Sequence, residues 1–556
     1  MAGGLMNLIS YGTGNIILNG NPKKTFFKVK YNKFTNFGMQ RIRIDFQNQR
    51  QLQWNAETTM EFKIPRSGEL LHDTYIVINI PDIWSPLFKN SDNEFIPYEF
   101  KWVDNLACAL INDITIHSGG NILNRYSGDY LHLLKERDLT ETKKKLWNRM
   151  TGNTEDLNDP AKYHKSLDSD GIHYIHKYPS IHFDGTSSTI EPSIRGKQLF
   201  IPLASWFCTS SKMALPLVSL QYQEIFISIT FAPISNLYKI RDINDATNNF
   251  PYISPLHYIR DAGNDSNGNP REVVSAQYEI QRFINPPTEE NFSYTGLTQE
   301  WNSDIHLIGN FIFLDKQEQA VFARDEQRYL IREVHEEEFP NIAGTQTINV
   351  MSRNMVIGWT FRFRRTDVHK RNEWFNYSNW EYKNEIPVRP SKNVSIDASK
   401  HEAIPSIYIY NQSYPTNVKE ILLDLAIQMD GKYRENLMTN SLFKWGEKAT
   451  RTTGCAEDGI LCYNFCLNTN KSSVQPSGAM NVNKFSKIQF TFNTIEPPIN
   501  PTAEFDVDCD PSTGEIIGIR KNNAQIYLYN YDLLLIEERY NVIIIQNGSA
   551  GLLYAR

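Results

Sequence analysis

A two-residue rhythm of apolar side chains recurs in both halves of this 556-residue chain, and it restricts the fold more than any other feature. Met60, Phe62 and Ile64 alternate with Glu61 and Lys63. Ile225, Ile227, Ile229 and Phe231 alternate with Phe226, Ser228 and Thr230, and Ile488, Phe490 and Phe492 with Gln489 and Thr491. Successive side chains of a strand point to opposite faces, so each run offers one face to a core. With 28 Tyr and 30 Phe, the aromatic share of 12% suits flat cores between packed sheets. One all-β core holds roughly 200–250 residues, so the length implies two β-sandwiches and their connections.

Residues 1–22 are small, apolar and amide-rich, with Gly at 3, 4, 12, 14 and 20 and no charge before Lys23. Such a segment is expected to be an arm that finds its order on a neighbour. A strand is predicted next, with Thr25, Phe27, Val29 and Tyr31 alternating with Phe26, Lys28 and Lys30, and another with Ile42, Ile44 and Phe46 on one face. Further on, Gly119-Gly120 predicts a hairpin return, and 130–145 has helical spacing with a basic end. Periodicity fades over 151–196, which reads as a long surface excursion. Order returns at 199–232, where Ile225–Phe231 is expected to close the first sandwich. Residues 233–304, including Asp261–Gly268, read as an Asn-, Asp- and Pro-rich connector holding the domain boundary. A second β run is expected from near Ile305, with a helix over Glu318–Arg332, a buried strand over Met355–Phe363 and a polar loop over Trp374–Trp380.

Several function classes are disfavoured. The net charge of −6, from 57 basic and 63 acidic residues, lacks the basic excess of a genome-binding surface. Six Cys, at 108, 208, 455, 462, 466 and 509, are sparse and read as reduced thiols of a chain folded in the cytosol. No apolar run reaches about 18 residues, no basic segment precedes the first apolar residues, and Ala2 precludes N-myristoylation. Gly12-Thr13-Gly14 lacks a third glycine and a preceding strand. The twelve His contain no His-x-His pair, and His173, His176 and His182 fall in the aperiodic stretch. Asp506-Val507-Asp508-Cys509-Asp510 has Pro511 where a calcium loop needs Gly, so a hairpin turning at Asp510–Gly514 is expected. Cys455, Cys462 and Cys466 have no zinc spacing. No catalytic, cofactor-binding or metal-ligating residue is therefore assigned, no cofactor is expected, and an enzyme is not. Seven Asn-x-Ser sequons occur, at Asn264, Asn291, Asn376, Asn393, Asn411, Asn470 and Asn547.

Several words of the chain closely resemble the major capsid proteins of nucleocytoplasmic large DNA viruses. Near the start they are Met1–Leu5, Tyr11-Gly12, Gly20-Asn21-Pro22, Thr25-Phe26-Phe27-Lys28 and Thr35-Asn36-Phe37. Ile64–Leu70, Ile116–Ile122, the block 199–232, Gln475-Pro476-Ser477-Gly478 and the ending from Tyr529 continue the resemblance, and Trp374–Trp380 is similar to the mimivirus-like branch. The resemblance implies an all-β fold of two tandem antiparallel jelly-roll sandwiches, a double jelly roll, with long loops and a few short helices. The expected division is an arm at 1–24, a first jelly roll at 25–235 with a long loop at 140–197, a connector at 236–300, and a second jelly roll at 301–556 with long loops at 365–415 and 430–480. The implied role is structural: a homotrimeric, pseudo-hexagonal capsomer tiling the icosahedral shell of a large double-stranded DNA virus. A minor capsid protein, or a receptor- or glycan-binding jelly roll of the virion, is the alternative. Implied partners are the chain itself, neighbouring capsomers, minor capsid and penton proteins beneath or between them, and surface glycans, without direct genome contact. The implied place is the outer shell of a virion assembled in host cytoplasm.

Overall fold

The computed structural model describes residues 3–47, 51–89, 95–167, 174–181, 191–243, 250–256, 278–286, 300–384, 418–471, 474–500, 506–520 and 526–554. Eight strands build a first sandwich: β1 (Phe37–Ile44), β2 (Thr58–Lys63), β3 (Leu70–Ile80), β4 (Ile111–Ser118), β5 (Asn121–Tyr126), β6 (Lys197–Pro202), β7 (Ile225–Phe231) and β8 (His306–Leu314). Its two sheets have the orders β1-β8-β3-β6 and β2-β7-β4-β5, all antiparallel. Eight more build a second: β9 (Gln327–Ile342), β10 (Thr345–Asn349), β11 (Met355–Arg365), β12 (Leu422–Met429), β13 (Lys432–Thr439), β14 (Ile460–Asn464), β15 (Ile488–Thr494) and β16 (Tyr531–Gln546). Their orders are β9-β16-β11-β14 and β10-β15-β12-β13. Strand for strand the two orders are the same: first, eighth, third and sixth in one sheet, second, seventh, fourth and fifth in the other. This is the jelly-roll connection, used twice.

The alternation seen in the sequence becomes the core. Met60 and Phe62 of β2, Ile114 and Ile116 of β4, and Ile225, Ile227, Ile229 and Phe231 of β7 are all buried in one cluster. In the second sandwich Trp359, Phe361 and Phe363 of β11 meet Phe490 and Phe492 of β15, with Phe363 and Phe492 edge to face at 5.4 Å. The Gly119-Gly120 pair turns β4 into β5 with φ of 54° and 90°, a conformation that favours glycine. The expected hairpin at Asp510 forms too: Asp506–Cys509 pairs with Ile516–Arg520, and Asp510 Oδ1 accepts the Ser512 N–H at 2.7 Å.

Several expectations are corrected. Ile225–Phe231 does not close the first sandwich; it lies between β2 and β4. The closing strand is β8, which was expected to open the second sandwich but pairs with β1 and β3 (Phe37 with Leu314, Leu71 with Phe311). Pairing over so long a loop leaves no local mark in the sequence. The helix expected over 318–332 is Lys316–Arg324, and β9 starts at Gln327. The helix expected over 130–145 is two, α1 (Gly128–Asp138) and α2 (Glu141–Met150), broken at Leu139-Thr140. The excursion at 140–197 buries Leu157, Tyr178 and Ile194, so it is part of the packed body. The 430–480 loop contains the sandwich strands β13 and β14. Thr25–Tyr31 bends at Phe26–Phe27 and pairs with no strand among the described residues. Much of the expected connector also packs inward. Tyr238–Arg241 pairs with Phe100–Trp102 and Tyr252–Ile253, and Phe100 stacks on Tyr238 at 4.9 Å and tilts against Phe283 at 5.3 Å. Asp261–Gly268 lies outside the described residues.

The placement of β8 can be tested. Phe311 is 0% exposed between β1 and β3. Phe311→Ala should destabilise the first sandwich by about 3–5 kcal/mol, read as early urea unfolding and faster amide exchange in β1 and β3 than in β15.

Candidate functional site

The functional feature here is a seam, not a cleft. The central strands β16 and β11 of sheet β9-β16-β11-β14 are buried on both faces along most of their length. Odd-numbered residues of β11 and β16 (Trp359, Phe361, Leu533, Leu535) fill the second sandwich, while Leu534 and Ile536 join the core cluster of the first. That cluster also takes in Tyr329 and Ile331 of β9 and Ile460 and Cys462 of β14. A single apolar body therefore runs from the first sandwich into the back of the second.

Helix α1 is wedged into this seam. Ser127 caps it, its hydroxyl oxygen accepting the Tyr130 N–H at 3.2 Å. Gly128 is required there, because a Cβ would stand 2.1 Å from the Cys108 carbonyl oxygen. Tyr130, Leu131, His132, Leu133, Lys135, Glu136 and Arg137 are all buried. A helix buried around its whole girth must pair its charges, since an isolated buried ion costs several kcal/mol. The pairing is made across the seam. Arg137 lies 2.8 Å from Glu538 of β16 and donates to Thr360 Oγ1 of β11 at 3.0 Å. The Tyr130 hydroxyl donates to Glu538 Oε1 at 2.6 Å, and Asp129 accepts from Arg362 of β11 at 2.5 Å. Ser127 donates its N–H and hydroxyl to Glu336 of β9 at 3.1 and 2.9 Å. The Gly454 and Ala456 N–H groups reach the Arg137 and Glu136 carbonyls at 2.8 and 2.9 Å.

Burial alone would push the Glu538 carboxyl up, but Arg137, Lys471 and Arg332 outweigh it and hold the group down at about 2. Lys471 is driven down to about 8 by burial, against the pull of Glu538. A second tie joins the units elsewhere. Asn372 Nδ2 donates to the Ser235 and Tyr238 carbonyls, both at 2.8 Å, and Lys239 pairs with Glu373 at 2.5 Å. The segment Trp374–Trp380, expected as a polar loop, is buried at Phe375–Asn379. Its Asn side chains supply the hydrogen bonds that let it sit there.

The groups discounted for chemistry are placed as follows. Gly12–Gly14 lies in an exposed turn, His176 is exposed, and His173 and His182 lie outside the described residues. Burial pushes the Cys108 and Cys208 thiols up to about 12; Cys108, Cys462 and Cys466 are buried, Cys208 is half-buried and Cys455 is exposed. One grouping was missed in the sequence. His132 and Glu136, a helical turn apart on α1, meet Glu457 with candidate ligand atoms within 4.8 Å of one another. Lys135 and Lys144 pair with Glu136, and Lys383 pairs with Glu457 at 2.6 Å. Three ammoniums against two carboxylates repel a cation, so the grouping works as an ion-pair network. A cavity of about 380 Å³ beside it is lined by Tyr377, Lys419, Glu420 and Lys444. Its charges are largely spent on each other, Lys444 pairing with Glu420 and, at 3.3 Å, with Asp458.

Two jelly rolls of the same strand order, joined along a buried seam, define a double jelly-roll fold. Residues 25–261 match the family described as major capsid protein N-terminus. The major capsid protein of Phaeocystis pouchetii virus is 30% identical over 234 residues, which span 41% of each chain, about two fifths of that relative. The major capsid protein of Paramecium bursaria Chlorella virus 1 is 22% identical over an alignment covering 100% of both. A chain of the PBCV-1 virus capsid has the same fold, with a TM-score of 0.58 at 17% identity over 96% of this chain and all of that one. Over residues 25–261 the chain is thus similar to major capsid proteins of large DNA viruses, and over nearly its whole length it shares the fold of one of them.

Glu538→Gln would leave Arg137 to Asp138 alone, 2.7 Å away, and would remove the carboxylate that faces Arg137 and Lys471 across the seam. A loss of about 1–3 kcal/mol is expected, measured by urea unfolding. Because folding holds the Glu538 carboxyl below its ordinary 4.5, its contribution is complete above that pH and fades as pH falls through about 2. An acid titration followed by near-ultraviolet circular dichroism should show loosening in that window in the native chain, and a smaller change in Glu538→Gln.

Proposed function

We propose that this chain is the main building block of the outer shell of a large double-stranded DNA virus, and that three copies make one pseudo-hexagonal capsomer. The observation that carries this reading is the repeated strand order on a shared seam. Three copies around a threefold axis would present six sandwiches of the same strand order, a pseudo-six-sided tile for a flat facet. Closed cyclic symmetry is the common solution for homo-oligomers. The seam supports it further, because a tile must not bend between its two halves. We place the division between the sandwiches at helix Lys316–Arg324.

On this reading the exposed arm reaches neighbouring capsomers or minor capsid and penton proteins beneath and between them. Host cytoplasm is the place of assembly, and the net charge of −6 argues against direct genome contact. Sugars on outer loops fit the exposed Asn547. They do not fit Asn376, which is buried with its Nδ2 donating to the Trp380 carbonyl at 2.9 Å. Asn264, Asn291, Asn393 and Asn411 lie outside the described residues.

Light scattering of the purified chain tests the capsomer. A species of three times 64.4 kDa is expected at micromolar concentration. A monomer only would defeat the proposal. Removal of residues 1–22 should leave that mass unchanged and impair assembly beyond it.

A further inference from the structure

Residues 22–36 form neither helix nor strand and bend at Phe26–Phe27, and among the described residues the hydrogen bond their backbone makes is local, from the Phe27 N–H to Thr25 Oγ1 at 3.2 Å. Drawn out as a strand, the segment would send Thr25, Phe27, Val29 and Tyr31 to one side in alternation with Lys28 and Lys30. Their apolar groups are in solvent, Phe27 97% and Tyr31 87% exposed. This is the pattern of a half-buried strand that has found no sheet in its own chain. Residues 1–40 hold five lysines and no acidic residue, a charge of +5, so the chain's −6 places −11 on the remainder. The body of another copy as a whole is thus opposite in charge to the arm, while the strand Lys432–Thr439 itself carries Lys432 and Arg434 against Glu435. A lipid surface could take the aromatic and basic side chains but would leave the strand's N–H and C=O groups unpaired. A sheet edge satisfies both needs.

Such an edge exists. Strand β13 ends its sheet, pairing with β12 and with no other strand among the described residues. It exposes Tyr433 and Leu437, large apolar side chains on an edge that is otherwise a liability for uncontrolled pairing.

We propose that residues 25–33 add as a strand to the β13 edge of a second copy, so that copies exchange their arms. This rests on the trimeric reading above and names the contact that reading leaves open.

Amide exchange of the native chain, diluted to monomer and concentrated to the oligomer, tests the exchange of arms. At least ten-fold slower exchange at 25–33 and 432–439 is expected in the oligomer alone. Val29→Pro, which removes a pairing N–H and touches no core, should abolish that protection, while Val29→Thr should keep it. Light scattering on the same samples separates the two proposals. A chain that stays monomeric defeats both. A trimer whose arm exchanges freely, or whose protection survives Val29→Pro, defeats only this one. So does protection of 25–33 without 432–439, or protection that appears only with phosphatidylserine vesicles.

Discussion

A helix buried on every side can exist only where each of its charges meets an opposite one, and α1 imposes that condition on everything around it. Arg137 needs Glu538, Asp129 needs Arg362, and those partners stand on the central strands of the second sandwich. Neither sandwich could therefore slide or rotate against the other without stranding a buried ion. The apolar contacts across the seam give adhesion, but they are non-directional and would permit slippage. The paired charges and the hydrogen bonds to Glu336 and Thr360 fix one relative placement.

That placement explains why the two halves, alike in strand order, are unlike in sequence. The first sandwich has strands with one polar face, such as β2 and β7. At its centre the β9-β16-β11-β14 sheet has none to spare, since one face lines a core and the other meets α1. Its outer face carries Thr360, Arg362 and Glu538, residues foreign to a core and suited to a seam. Repeated topology supplies the sixfold appearance proposed for three copies, and the seam keeps each pair of sandwiches acting as one piece.

How much was legible in the residues follows from the same physics. Strands with one face outward announced themselves, as with Ile225–Phe231 and Ile488–Thr494. The long strand Tyr531–Gln546 read only in part, because Glu537, Glu538 and Arg539 interrupt its apolar run with charges whose partners lie far away in sequence. Trp374–Trp380 read as a loop because its Asn residues are polar, though they are polar groups spent on buried carbonyls. Thr25–Tyr31 has the alternation of a strand, yet it pairs with no strand among the described residues. The seam itself was invisible: Tyr130 and Glu538 are 408 residues apart, and no local pattern marks such a pair. The His132 and Glu136 spacing was available, but the lysines that decide its role converge only in the fold.

The position of the last strand in each sandwich has a consequence for biosynthesis. β8 lies between β1 and β3, and β16 between β9 and β11. In both cases the final strand made is the one inserted into the middle of a sheet. While the ribosome is still upstream of His306, β1 has no neighbour to zip against and β3 presents a raw edge. Each sandwich is thus a vault that stands open until its keystone is delivered. Such late, long-range closure makes for slow folding and leaves nascent chains sticky. A protein made in great numbers in one place would meet that hazard at every copy, and would gain from chaperones that shield an open groove.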